Sequence, residues 1–191
     1  MNCTGLILAA GESRRMGSPK ALLPYRGRTF LDTLIALFAE RCEPVIAVLG
    51  APFEWRHPGG VRIVVNENYL TGQTSSLQAG LREVPADAEG VLLTLVDHPA
   101  VSPETIDALL VAPRPLIRIP RYKAERGHPI WFSRELIPEF LAVPLDAAAN
   151  TVTRAHRAET EFLDLDDPGI TADIDTPEAY RALLAEAGEC A

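Results

Sequence analysis

The chain has 191 residues, a formal net charge of −8 and 47% hydrophobic residues. That length fits one domain, 1–191, able to bury a substantial core, and the acidic balance argues against nucleic-acid binding, which needs basic surface. No apolar stretch approaches the ~20 residues that cross a bilayer, so no membrane contact is expected. No basic region precedes the first apolar run, so a signal peptide is not read and a cytoplasmic location is the default. Cys3, Cys42 and Cys190 are odd in number and in no CxxC or His-rich grouping, which gives neither a disulfide framework nor a zinc site.

The first element is Cys3 to Ala10, an apolar run suited to a strand buried on both faces. It stops at Gly11, and a short loop follows that groups Gly11, Arg14, Arg15, Gly17 and Lys20. Loops of this kind hold phosphates because a residue without Cβ lets backbone N–H groups approach an anion. Ligands of open α/β sheets bind outside the carboxyl ends of strands. The spacing matches neither standard phosphate loop: five residues separate Gly11 from Gly17, where the P-loop has four, and no G-x-G-x-x-G follows.

Ala21 to Pro24 is a short apolar piece ended by a turn at Tyr25 to Arg28. Thr29 to Arg41 has helical apolar spacing with Thr29 as N-cap. Val45 to Leu49 and Val61 to Val65 read as strands, with a Pro- and Gly-rich loop at 51–60 between them. In Asn66 to Arg82, Thr74-Ser75-Ser76 opens a helix, with N–H groups and hydroxyls placed to bind a ligand. Gly90 to Val96 is a further strand, ending in Asp97-His98-Pro99. A carboxylate there can hold magnesium, which takes one or two carboxylates and fills its octahedron with phosphates and water. His98, beside a proline, reads as structural.

Ser102-Pro103-Glu104 starts a helix running to Leu110. Leu116 to Ile119 and Ile130 to Phe132 read as short strands on either side of the loop 121–126 and Gly127-His128-Pro129. Ile137 to Leu141 and Ala147 to Ala158 read as helices, and Glu161 to Leu165 as an edge strand. Asp173 and Asp175, two apart in an extended stretch, point to one face and offer a second metal ligand. Thr176 caps a last helix to about Ala187. Basic residues form two islands: Arg14, Arg15, Lys20, Arg26 and Arg28 against Glu12, and Arg114, Arg118, Arg121, Lys123 and Arg126 against Glu125. They suggest two anionic groups to be held.

Alternating strands and helices predict one mostly parallel α/β sheet with helices on both faces. The stretches LAAGESRRMGSPKALLP, GQTSSLQAGL, LVDHP, GHPIWF and DIDTPEAY together resemble the nucleotidyltransferases of molybdenum-cofactor maturation, in order and across almost the whole chain. The set is similar to the cytidylyltransferase branch, in which Ala9-Ala10-Gly11 replaces the Ala-Gly-Gly of guanylyl members.

The resemblance implies a single-domain, Rossmann-like three-layer sandwich of the glycosyltransferase-A type. It implies that Leu8, Ala9, Ala10, Gly11, Ser13, Arg14 and Gly17 line the nucleotide, with Ser75 and Ser76 in its base and ribose region. Arg15 and Lys20 would contact phosphates. Asp97 would hold Mg²⁺ with Asp175 or Asp173, and Gly127, His128 and Pro129 would border the acceptor pocket beside the second basic island. The implied reaction transfers CMP from CTP to molybdopterin, with transient contact to a molybdoenzyme. The alternatives are a related transferase that uses GTP or acts on a sugar, polyol or lactate phosphate, and a cofactor-binding accessory protein for molybdoenzymes. Val96-Asp97-His98 departs from the Gly-Asp or Asp-Gln usual in the branch, and Leu145 to Asn150 replaces a common Gly-Asp-containing stretch.

Overall fold

The computed structural model describes residues 2–11, 16–50, 55 and 59–188. Among them, eight strands form one sheet and two more form a small hairpin. The large sheet contains β1 (Cys3–Ala9), β4 (Val45–Leu49), β5 (Val61–Val65), β6 (Gly90–Leu95), β7 (Ile117–Tyr122), β8 (Glu125–Arg126), β9 (Ile130–Ser133) and β10 (Thr160–Asp164). Their order is β10-β7-β9-β6-β1-β4-β5, with β8 hydrogen-bonded to β7. The pairs β6–β1, β1–β4, β4–β5 and β7–β10 are parallel, whereas β9 runs antiparallel to both β6 and β7. The hairpin is β2 (Pro24–Tyr25) with β3 (Arg28–Thr29).

β1 and β4 are buried at every position, which is why they read as unbroken apolar runs rather than alternating ones. Their side chains nevertheless divide by parity. Ile7, Ala9, Val45 and Ala47 pack with α1 (Phe30–Ala39), α3 (Pro103–Leu110) and α6 (Pro177–Glu186). Leu6, Leu8, Ile46 and Val48 pack on the opposite face with α2 (Gln73–Leu81), α4 (Ile137–Ala142) and α5 (Asn150–Ala155). The result is helix, sheet, helix.

The caps read from the sequence form as expected. Thr29 accepts from Asp32 N, Ser102 from Thr105 N and Thr176 from Ala179 N, each satisfying a donor that the helix itself leaves unbonded. α5 is shorter than the expected Ala147–Ala158 helix, because His156 closes it with φ −97° and ψ 30°. The cysteines far apart in sequence are not all apart in space: Cys3 and Cys42 are buried with Sγ atoms 3.3 Å from each other.

Instead of a loop at 121–126, β7 runs on to Tyr122 and folds back as β8 through Lys123-Ala124. Both turn residues have positive φ, 49° and 68°, as a two-residue hairpin turn of this hand requires. An L side chain in that region costs roughly 1–2 kcal/mol. Ala124→Gly is therefore expected to raise the melting temperature by about 1–4 °C; calorimetric or circular-dichroism melting checks it.

Candidate active site

Segments far apart in sequence meet at the carboxyl ends of β1 and β6. Asp97 follows β6, and its carbonyl accepts a hydrogen bond of 3.1 Å from Ile174 N. Ile174 is buried, so Asp173 and Asp175, which flank it, project together towards Asp97. One carboxylate oxygen from each of Asp97, Asp173 and Asp175 lies within 4.8 Å of the other two. Lys20 opens a short 3-10 turn, Lys20–Leu22. Its ammonium sits 3.0 Å from Asp97 Oδ2 and also donates to Asp175 Oδ1.

The electrostatics of this cluster follow from its crowding. Loss of water around the Asp173 carboxyl, with repulsion from Asp97 and Asp175, raises its pKa to about 6. Burial alone would lower the Lys20 pKa, but the hydrogen bond to Asp175 and the attraction of Asp97 outweigh it and hold the ammonium above its ordinary value. Asp97 Oδ1 is buried with no hydrogen-bond partner among the described residues. Three converging carboxylates, one with an orphaned buried oxygen, fit a hard divalent cation, which prefers oxygen donors.

β9 brings a second segment to the same place. Because it runs antiparallel to β6 with Ile130 opposite Leu93, its first residues lie at the edge where β6 ends. Gly127-His128-Pro129 therefore stands beside Asp97-His98-Pro99, and the two imidazole rings are 5.1 Å apart. Gly127 N donates to Pro120 O and His128 N to Ile170 O. A β-carbon at Gly127 would overlap the Ile170 carbonyl, so only glycine permits this approach. Burial lowers the pKa of both imidazoles, helped at His128 by its neighbour His98, and His128 falls to about 4. Both are neutral at neutral pH.

Residues 5–160 match the family model described as the MobA-like NTP transferase domain. The chain belongs to that family. It is 36% identical to the "Nicotine blue oxidoreductase" of Paenarthrobacter nicotinovorans, with 95% of this chain and 96% of that one aligned. It is 27% identical to the "Molybdenum cofactor cytidylyltransferase" of Escherichia coli K12, over 92% of each. The crystal structure of Rv0371c from Mycobacterium tuberculosis H37Rv superposes with a TM-score of 0.85 at 32% identity, covering 97% of this chain and 98% of that one. The same protein in complex with manganese gives a TM-score of 0.77 at 30% identity, covering 97% and 99%. The mostly parallel sheet with helices on both faces is the glycosyltransferase-A-like fold of solved nucleotidyltransferases.

The MobA-like domain places the expected site residues unequally. Ala9, Ala10 and Gly11 come to the carboxyl edge beside β4, and Gly17, with φ +69°, turns the chain towards Lys20. Ser13, Arg14 and Arg15 lie outside the described residues. Leu8 sits one residue too deep: its side chain packs in the core and its carbonyl accepts from Val96 N.

The idea that the hydroxyls at the start of α2 are free for a ligand is corrected. Thr74, Ser75 and Ser76 are buried. Thr74 donates to Ala147 O, Ser75 is bonded to the carbonyls of Asn68 and Gly72, and the Asn66 carboxamide donates to both Ser75 and Ser76. These hydroxyls pin α2 to its neighbouring loops.

The second basic island is also corrected. Arg114 pairs with Glu89, Arg118 with Glu161 and Arg121 with Asp164, so acids remote in sequence neutralise it. Only its hairpin end, with Lys123 and Arg126 exposed, reaches the edge where Asp97 lies.

His98 is the residue that sequence reasoning set aside and the structure places in the site. It is buried, lies beside His128, and its Nε2 is 3.8 Å from Asp97 Oδ1. The signal was available in the paired His-Pro steps, at 98–99 and 128–129.

Proposed function

We propose that the chain is a divalent-metal-dependent nucleotidyltransferase that moves CMP from CTP to the phosphate of molybdopterin, releasing pyrophosphate. The observation that carries this reading is the convergence of Lys20 with Asp97, Asp173 and Asp175 beside the Ala9-Ala10-Gly11 corner. Ala10 supports cytosine over guanine. The likeness to the Escherichia coli cytidylyltransferase runs over 92% of each chain, while a guanylyltransferase of Mycobacterium avium is 38% identical over 58% of this one. The manganese complex of Rv0371c supports a divalent ion on the acidic cluster, and Mg²⁺ is the proposed ion.

Asp97, Asp173 and Asp175 would hold the metal, which when bound neutralises charge on phosphoryl oxygens. Lys20 reaches the same place and supplies a further positive charge for the triphosphate. The two neutral imidazoles add no competing charge there. Gly127 keeps the start of β9 close against Ile170, which leaves the rim beside the Lys123–Arg126 hairpin for an anionic acceptor. A phosphate oxygen of the acceptor attacks the α-phosphorus in line and pyrophosphate leaves. The chain's contribution is positioning and charge complementarity rather than a covalent nucleophile.

Pyrophosphate release on mixing the protein with molybdopterin, Mg²⁺ and each of four nucleoside triphosphates tests this. Turnover with CTP alone is expected. Equal turnover with GTP overturns the choice of base, and release from no triphosphate overturns the reaction.

The likeness to an oxidoreductase favours a second reading, in which the same edge seats a redox dinucleotide. The acidic cluster argues against it, since a transferred hydride needs no metal-bound phosphate. Thermal stabilisation by NADH or NADPH but by no triphosphate would reverse that preference.

The pH dependence follows from Asp173. Its proton is held below about pH 6 and competes there with a cation for the carboxyl oxygen. Mn²⁺ affinity, measured by calorimetry, is expected to rise from roughly pH 5 to 7 and then level off. A flat profile removes Asp173 from the ligand set.

A further inference from the structure

Lys20 does not point out to solvent from the loop that carries it. Its side chain is 11% exposed, and its ammonium contacts two of the three carboxylates that converge on one point, Asp97 and Asp175. The contact spans three remote parts of the chain, since Asp97 closes β6 and Asp175 precedes α6. It is held from behind by buried Ile174 and its bond to the Asp97 carbonyl. The lysine is therefore built into the acidic cluster as its own cation.

From this geometry we infer that Lys20 and a divalent ion exclude one another from the Asp97–Asp175 pair, and that nucleotide phosphates admit the metal by drawing the lysine away. The inference rests on reading this cluster as the metal–nucleotide site. An ammonium and a divalent ion bound to the same two carboxylates would stand within a few ångströms of each other, where like charges in a half-buried site repel strongly. Asp97 Oδ2 and Asp175 Oδ1 are taken by the ammonium. A metal arriving alone therefore either breaks these ion pairs or binds the remaining oxygens, among them the buried Asp97 Oδ1, against the charge of the ammonium. A triphosphate changes the balance because it offers the ammonium another anionic partner. Lysine suits this exchange: it is a point charge on a flexible four-carbon stem with three donors.

Metal and nucleotide then bind with positive coupling, and linkage makes the effect reciprocal. The free enzyme holds the metal weakly and binds it firmly with the nucleotide, although Lys20 itself ligates nothing.

The test is Mn²⁺ binding without nucleotide, followed by loss of the free-ion electron paramagnetic resonance signal. Lys20→Met and Lys20→Gln are compared with wild type, and circular dichroism verifies that each is folded. Glutamine retains a hydrogen-bond donor towards the carboxylates without the charge, so it covers the case in which Lys20→Met does not fold. Both folded variants are expected to bind Mn²⁺ alone at least about five-fold more tightly than wild type. A non-hydrolysable CTP analogue should tighten Mn²⁺ binding to wild type but add little in the variants. Unchanged or weaker Mn²⁺ binding in the folded variants overturns the exchange. The cytidylyl assignment fails differently: wild type would then gain no Mn²⁺ affinity from the CTP analogue, while the variants still report on the lysine.

Discussion

Asp97→Asn is expected to lower nucleotidyl transfer by at least ~10²–10³-fold, the usual cost of removing one electrostatic contact that acts in the transition state. The fold should survive the change. What Asp97 gives the architecture is its backbone carbonyl, which receives Ile174 N, and asparagine keeps both that group and the side-chain volume. Lys20 keeps its second partner, Asp175. Removing the Asp97 charge also relieves Asp173, whose raised pKa owes part of its shift to that neighbour. Activity should thus collapse while the melting temperature stays near the wild-type value. Pyrophosphate release and circular-dichroism melting on the same preparation separate the two effects, and wild-type turnover would remove Asp97 from the reaction.

The parts of the fold legible in the sequence were those with a local cause. β1, β4 and β6 show as apolar runs because each is covered on both faces, and Thr29, Ser102 and Thr176 show as caps because capping is decided within four residues. Strand direction has no such local mark. Ile130-Trp131-Phe132 reads equally well either way, so the antiparallel insertion of β9, which carries His128 to His98, emerges only from the pairing with β6 and β7. The Asp173–Asp175 pair was half legible: alternation put both carboxylates on one face, but buried Ile174 and its bond to Asp97 were needed to aim them.

Charges and hydroxyls misled for a common reason. Polar side chains near one another in sequence look unpaired until their partners arrive from elsewhere. In the parallel β7–β10 pair, Arg118 stands opposite Glu161 and Arg121 opposite Asp164, and such cross-strand opposite-charge pairs are a recurrent way of stabilising a sheet. The acids that read as an edge-strand alternation are the counter-ions of Arg118 and Arg121. Ser75 and Ser76 were likewise ambiguous, because a helix start rich in hydroxyls serves a ligand or an inward carboxamide equally well, and Asn66 is the inward partner here.

Arg118→Ala is expected to be the most destabilising single change in that island, at about 3–5 kcal/mol, the cost of breaking a buried charge network by removing one partner. The guanidinium donates to the carbonyls of Leu109, Val111 and Pro113 at 2.7–3.0 Å and to Glu161 at 2.8 Å. Leu109 is in the last turn of α3 and Val111 is its C-cap, so Arg118 satisfies carbonyls that the helix end leaves unbonded, with its positive charge at the negative pole of the helix. Alanine would leave several buried acceptors without a donor and Glu161 without its partner. For a chain of this size that loss corresponds to a melting temperature lower by roughly 6–20 °C. Arg118→Lys should recover only part of it, since three donors on a point cannot reach the positions served by a planar fork. Below the melting transition, the KM for the acceptor should match wild type in both variants. An acceptor-binding arginine would give the reverse pattern, an unchanged melting temperature with a raised KM, and that result would restore Arg118 to the acceptor site.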